Sequence, residues 1–511
     1  MTRRSKKMIL MGMDGLMYYL LMKFAGEGRM PNVSRLIENG SFGEASQEFP
    51  SDTPTNWTSI ATGAATGTHG ITGFRIHLPG EPLDVGQFQE NEHRCFESTY
   101  CNAEYLWDTA DRAAIKCLVI NYPTCWPPTF RAGMMIKGDG IPPLKIADSM
   151  YYVSVNSTNV SNRPYSVVHV KEAKERETPT TSYSPLLEAD IQIESELIAQ
   201  TPPLEVLLID AHRRGYDALA VGDEVIGIGQ STKWIKMQSR LTKDRSALPE
   251  EVRKAGSVTG LFKLHLVKIS PDATNFEVLR TPIFITQGWT YPANLGEDLL
   301  ENVDALRSVR QEYEDPYNVL FSPDGSRDRL GSEALSERRA NYLIQAQYQA
   351  ERLSQIIAYL KSYPGWDLCF FHYHLLDSVN HRLLGHLSPL HPAYTQDKLN
   401  EAMREYEAAY MMVDELAGKV LNDCADDETL VVLVSDHAAL PCWKIVRIHR
   451  AFIRAGLLTY EWHPEKGNYV VDLSRTKAFP WVEPTYVWVN LKGRDPGGIV
   501  QPEDYESVRE R

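Results

Sequence analysis

No apolar run in this chain approaches the roughly 20 residues that cross a bilayer, and no two of its cysteines form a CxxC pair. The first absence argues against a membrane anchor. The second, with seven scattered thiols (Cys95, Cys101, Cys117, Cys125, Cys369, Cys424 and Cys442), argues against a disulfide scaffold and for a reducing, cytoplasmic compartment. Positive charge is also in short supply: 53 Lys and Arg face 67 Asp and Glu, a net charge of -14. That balance excludes a general surface for a nucleic-acid polymer, although a local cation still recruits a single anion. There is no internal repeat and no low-complexity segment. The opening "TRRSKK" and the apolar stretch after it copy the start of a leader peptide, but Asp14 interrupts the stretch and no small-residue cleavage site follows, so it reads as a first buried strand.

What is present is enough apolar sequence, 43% of 511 residues, for more than one core. "KKMILMGMD" ends an apolar run on Asp14, and "MPNVSRLIENG" follows with the Val33, Leu36, Ile37 spacing of a short amphipathic helix. A helix from Trp107 to Ala114 and the strand "KCLVINYP" continue this alternation, which is the pattern of an α/β domain with a parallel-type sheet. From about 136 to 335 the texture becomes short strand-like runs split by Pro, Gly, Asn and Asp. Long helices at 336–365 and near 394–421 then lead into "WDLCFFHYH" and "TLVVLVSDH". The expected organisation is a discontinuous α/β core, 1–135 with 336–511, and an inserted strand-rich cap or substrate region, 136–335.

The segment "FPSDTPTNWTSIATG" reads as a helix beginning at Pro54, with Thr53 as its N-cap and Gly63 at its end. A helix N-terminus also offers free N–H groups and positive dipole, so the same hydroxyl stands where an anion such as phosphate binds. Three acids close three apolar runs: Asp14, Asp377 and Asp436. In open α/β sheets ligands bind beyond the carboxyl ends of the strands, so these acids converge despite their distance in sequence. "DSVNH" puts Asp377 and His381 on one helical face, and "SDHA" sets Asp436 beside His437. Mixed carboxylate and imidazole ligands suit zinc, with manganese or iron as alternatives, better than magnesium or calcium. His372 and His374 share a strand face, where packing is the simpler role and support of the site or of a substrate the other. His69 is read as structural, since nothing pairs it with the carboxylates.

Taken in order, "MGMDGL", "MPNVSRLIENG", "FPSDTPTNWTSIATGAATGTHGI", "DSVNH" and "VSDH" resemble the alkaline phosphatase superfamily. The resemblance is closest to its type I phosphodiesterase/nucleotide pyrophosphatase branch and the phosphohydrolase/phosphomutase proteins beside it, over roughly residues 8–75 and 366–440. It implies an alkaline-phosphatase-like central sheet flanked by helices, carrying a large strand-rich insertion. It also implies two divalent ions, one held by Asp14, Thr53, Asp436 and His437 and the other by Asp377 and His381. Thr53 would be the nucleophile, with N–H donors from Thr55 or Asn56 serving the phosphoryl oxygens. The implied reaction is hydrolysis of a small phosphate ester through a phospho-threonine intermediate.

Two departures qualify the resemblance. The family pattern gives the second ion a third histidine after the Asp-His pair, but only His449, in an amphipathic helix, and His463, in a turn, follow; that ligand is expected beyond Arg511. An Asn that phosphodiesterase members carry near Phe74 is absent. Sulfatase chemistry is disfavoured, since Thr53 to Asn56 offers neither the Cys or Ser nor the Arg of its motif. The alternatives are a phosphomutase acting on a phosphosugar, and a non-catalytic relative that binds a metal or a phosphate ligand.

Overall fold

The computed structural model describes residues 6–78, 80–83, 94–137, 145–155, 165–174, 177–242, 248, 250–303, 332–362, 364–444, 446–465, 467–480 and 486–511. The chain divides into two compact units, Met1–Gly140 with Gln349–Arg511, and Ile141–Tyr348. The second boundary falls inside one helix, Ser332–Ser362. Parts of the regions expected to join the two, 138–144 and 304–331, lie outside the described residues.

In the first unit five strands form a parallel sheet: β1 (Lys7–Met13), β2 (Cys117–Ile120), β3 (Gly133–Ile136), β4 (Leu368–Tyr373) and β5 (Thr429–Val434). Their spatial order is β3-β2-β4-β1-β5. Apolar residues fill consecutive positions of β1, β2 and β4 because helices cover both faces of a parallel sheet, so no face alternates to water. The register aligns Gly12 of β1 with His372 of β4 and Val434 of β5. Two residues further on in each chain stand Asp14, His374 and Asp436, at one edge of the sheet.

Helices of this unit include α1 (Tyr18–Gly26), α2 (Pro31–Asn39), α3 (Thr53–Thr62), α4 (Leu106–Arg112), α5 (Leu375–Leu383) and α6 (Gln396–Lys419), of which α3 and α5 bring side chains to this edge. The turn after β1 depends on Gly15, whose φ is +67° and whose position leaves a side-chain carbon only 2.8 Å from Asp377 Cα. Both conditions exclude a larger residue. The Gly15 N–H donates to Asp436 Oδ1 at 3.2 Å, and its carbonyl accepts from Asn380 Nδ2 at 2.7 Å, so one turn ties β1, β5 and α5 together. α2 has no side-chain cap of its own. Its N-terminus is capped from α6 instead: buried Asp414 accepts from the Val33 N–H at 2.8 Å and from Asn32 Nδ2 at 2.9 Å, contacts that together contribute on the order of 1–2 kcal/mol.

The second unit is built mainly of strands. Glu224–Gly227, Ala218–Val221, Leu204–Ile209, Leu187–Ile191 and Lys171–Glu172 make an antiparallel sheet in that spatial order, and two four-stranded sheets accompany it. A core containing Ile191, Val206, Leu208, Leu219, Leu264 and Phe276 joins them, with smaller apolar clusters beside it. Among the described residues no helix is long and apolar enough to cross a membrane.

Two local expectations are corrected. α3 begins at Thr53 rather than Pro54, its N-cap is Asp52, and no side chain makes the cap hydrogen bond. His463 ends a strand, Tyr460–His463, rather than sitting in a turn.

Candidate active site

Every residue singled out as a ligand lies in the first unit, at the carboxyl edge of the β3-β2-β4-β1-β5 sheet. Asp14 is fully buried there. Its Oδ2 accepts three contacts, from Trp57 Nε1 at 3.2 Å, His372 Nε2 at 2.7 Å and His374 Nδ1 at 3.2 Å. Burial opposes its ionisation, but the charge of His374 and the hydrogen bonds of both histidines outweigh that and hold the carboxyl well below the usual range. Asp14 Oδ1 is buried and accepts no hydrogen bond.

Asp436, two residues past β5, is nearly as buried, and its Oδ2 also lacks a hydrogen-bond partner. Burial first, and the Asp14 charge second, push it well above the usual carboxylate range. His437 Nε2 lies 3.2 Å from that oxygen, 3.6 Å from Asp14 Oδ1 and 3.1 Å from Thr53 Oγ1. On the other side of its ring, Nδ1 meets the Ala438 carbonyl at 3.0 Å. A carbonyl only accepts, so Nδ1 carries a proton and Nε2 is the ring atom that faces the two carboxylate oxygens. Two buried carboxylate oxygens without hydrogen-bond partners, both close to one imidazole nitrogen, form an arrangement that a cation satisfies.

Asp377 in the first turn of α5 completes the group: Asp14, Asp377 and His437 each place one donor atom within 4.8 Å of the others, and so do Asp14, His372 and His374. His381 Nε2 lies 3.2 Å from Asp377 Oδ2, the contact expected of positions four apart on a helix, and this hydrogen bond raises the imidazole above its ordinary value. The three acids therefore converge, with His437 and Thr53 beside Asp14 and Asp436, and His381 beside Asp377.

Thr53 is buried at the start of α3, its hydroxyl facing His437 rather than capping the helix. Thr55 is also buried, its Oγ1 without a hydrogen-bond partner. Asn56 is committed elsewhere. Its Oδ1 accepts from the Glu48 N–H at 2.7 Å, its Nδ2 donates to the carbonyls of Pro50 and Asp52, and its own N–H donates to Asp52. It clamps the loop that leads into α3.

The strand-face reading undervalued His372 and His374. Packing is only part of their environment, since both meet the Asp14 carboxylate. The signal available in the sequence was the position of "HYH" at the end of an apolar run; the pairing that sets it level with Asp14 was not. The two downstream histidines take no part in the Asp14 cluster: His449 stacks edge-on against Phe479 at 6.0 Å, and neither His449 nor His463 belongs to a candidate metal group among the described residues.

His69 is buried against Ser59, with Nε2 2.9 Å from Ser59 Oγ and Nδ1 accepting from the Ile71 N–H. Burial pushes its imidazole down to about 4, against a weaker upward pull from Glu48. An imidazole depressed in the folded state contributes no penalty above the unfolded value of 6.5, and stability declines as pH falls from there toward about 4. Unfolding in urea at a series of pH values should therefore show a loss on the order of 3 kcal/mol across that window for this residue, and His69→Gln should flatten the curve by that amount. Curves of equal slope for the two proteins would contradict the assignment.

A sequence model of the family described as Type I phosphodiesterase / nucleotide pyrophosphatase matches residues 8–178 and 282–511, well over half of the chain. No curated protein matches. Members of that family hydrolyse small phosphate esters and typically depend on metal ions. The length of the match and the motifs it spans lead to one conclusion: the chain belongs to the type I phosphodiesterase / nucleotide pyrophosphatase family of the alkaline phosphatase superfamily.

Proposed function

We propose that the protein is a two-metal phosphodiesterase of nucleotide pyrophosphatase type, with Thr53 as nucleophile. The observation that carries this reading is the placement of the Thr53 hydroxyl, 3.1 Å from His437 Nε2 and at the first residue of a helix, beside two buried carboxylates that each leave one oxygen bare. The donor set fits divalent ions of the zinc, manganese or iron kind, zinc first. Asp14, Thr53, Asp436 and His437 would hold one ion, and Asp377 and His381 the other. Bound there, the ions supply positive charge to the phosphoryl group and lower the pKa of the threonine hydroxyl.

The chain's own part follows from the geometry. Thr53 and Thr55 both lie in the first turn of α3, where the phosphoryl oxygens would meet backbone donors and the positive end of the helix dipole. The Thr53 oxygen bonds to phosphorus while the bond to one ester oxygen breaks. The proton given up by the hydroxyl balances the one gained by the departing alcohol. Water then cleaves the phospho-threonine, restoring the hydroxyl and releasing a phosphomonoester. Asp14 is held rigid through this cycle by Trp57, His372 and His374, which leaves only Oδ1 for a ligand.

The test compares an aryl phosphodiester, an aryl phosphomonoester and an aryl sulfate on the metal-loaded protein. The expected order is diester first, monoester slower and no turnover of the sulfate. Isomerisation of a phosphosugar without free phosphate would move the assignment to a mutase. A metal-loaded protein inert toward all these substrates would favour a binding relative.

A further inference from the structure

We propose that His374 is a metal ligand, and that with Asp377 and His381 it forms the site of the second ion. The inference rests on the two-metal reading above and departs from the expectation that the third ligand lies downstream of His437.

Three observations support it. First, the sheet register sets His374 level with Asp14 and Asp436, two residues beyond the aligned Gly12, His372 and Val434. Second, His374 touches both carboxylates: Nδ1 lies 3.2 Å from Asp14 Oδ2 and Nε2 lies 3.3 Å from Asp377 Oδ2. His372 instead spends Nε2 on Asp14 and is buried, which makes it a positioning residue for that carboxylate. Third, the distances are those of neighbouring ligands. Metal bonds of about 2.0–2.1 Å in a tetrahedron put ligand atoms about 3.3–3.4 Å apart. Asp377 Oδ2 is 3.3 Å from His374 Nε2 and 3.2 Å from His381 Nε2, while Asp436 Oδ2 and His437 Nε2 at the other site are 3.2 Å apart.

The Nδ1 contact decides which nitrogen is the donor. A ring that gives its Nδ1 proton to a carboxylate is fixed in orientation and tautomer, and Nε2 is left to take the cation. Asp14 thereby has two duties, offering Oδ1 to one ion and orienting through Oδ2 a ligand of the other. The two sites are coupled through one carboxyl group.

The experiment titrates the metal-free full chain with zinc in competition with a chromophoric chelator, and repeats the titration with cobalt to read the absorption of each site. Wild type should take up two ions. His374→Asn keeps an amide N–H where Nδ1 donates to Asp14 but removes Nε2. It should retain one ion and weaken the other by more than the roughly 10- to 100-fold that loss of an outer partner costs. His381→Ala should weaken the same ion. Should His374→Asn fail to fold by circular dichroism, His374→Ala is titrated with and without added imidazole, which is expected to restore the weakened ion. Two ions bound by the His374 variant within tenfold of wild-type affinity would overturn the inference and leave the two-metal reading standing. Fewer than two ions in wild type would overturn both.

Discussion

Thr53→Ala should fold as wild type, bind metal and lose turnover of the aryl phosphodiester by on the order of 10⁴-fold or more, the scale of losing a nucleophile. The structure separates this from a stability effect. The Thr53 hydroxyl makes no cap hydrogen bond, Asp52 occupies the cap position, and among the described residues the hydrogen-bond partner of that hydroxyl is His437 Nε2. Removal of the hydroxyl should therefore cost no more than about 1 kcal/mol in urea unfolding, at or below the low end of what loss of a true cap costs. Thr53→Ser keeps the oxygen and should keep measurable activity. A Thr53→Ala protein within tenfold of wild-type turnover, or one destabilised by several kcal/mol, would return this residue to a structural role.

The second large effect concerns Asp14→Ala. The substitution strips the acceptor from three groups at once, Trp57 Nε1, His372 Nε2 and His374 Nδ1, the first two of them buried. Leaving buried partners of an ionised group unpaired costs about 3–5 kcal/mol, and the same change deletes a metal ligand. Stability measured with chelator present should fall by that amount, whereas turnover in excess zinc should be lost. Asp14→Asn preserves shape and one acceptor, so its stability should fall between the two. If Asp14→Ala costs less than about 1 kcal/mol in the chelated protein, the carboxylate is not what anchors the three donors.

Much of this site was readable from the amino-acid order because parallel sheets gather strand ends. Asp14, Asp377 and Asp436 each close an apolar run, and any fold that makes those runs neighbouring parallel strands must bring the acids together. The partners of Asp377 and Asp436 were equally visible, His381 through helical spacing and His437 through adjacency. Contacts that depend on register or on remote elements were not visible. His374 is a site residue only because β4 aligns His372 with Gly12, a fact of pairing rather than of composition. Asp414 caps α2 from nearly 400 residues away, so nothing near Pro31 announces it. Thr53 and Asn56 show how local rules fall short: they offer the first a cap, but the loop from Glu48 to Asp52 takes up the asparagine side chain and His437 takes up the threonine.

The position of β1 bears on how the protein is made. It precedes every other strand of its parallel sheet in the sequence, yet both of its neighbours, β4 and β5, begin at Leu368 and Thr429. At about 5–20 residues per second, the segment "MILMGM" waits roughly 20 to 70 s before either strand has been synthesised. Its backbone and apolar side chains must be shielded throughout, so a growing chain is vulnerable to aggregation until β4 and β5 emerge. A fragment ending near residue 140 should remain unfolded, whereas the completed polypeptide closes its sheet around the oldest strand.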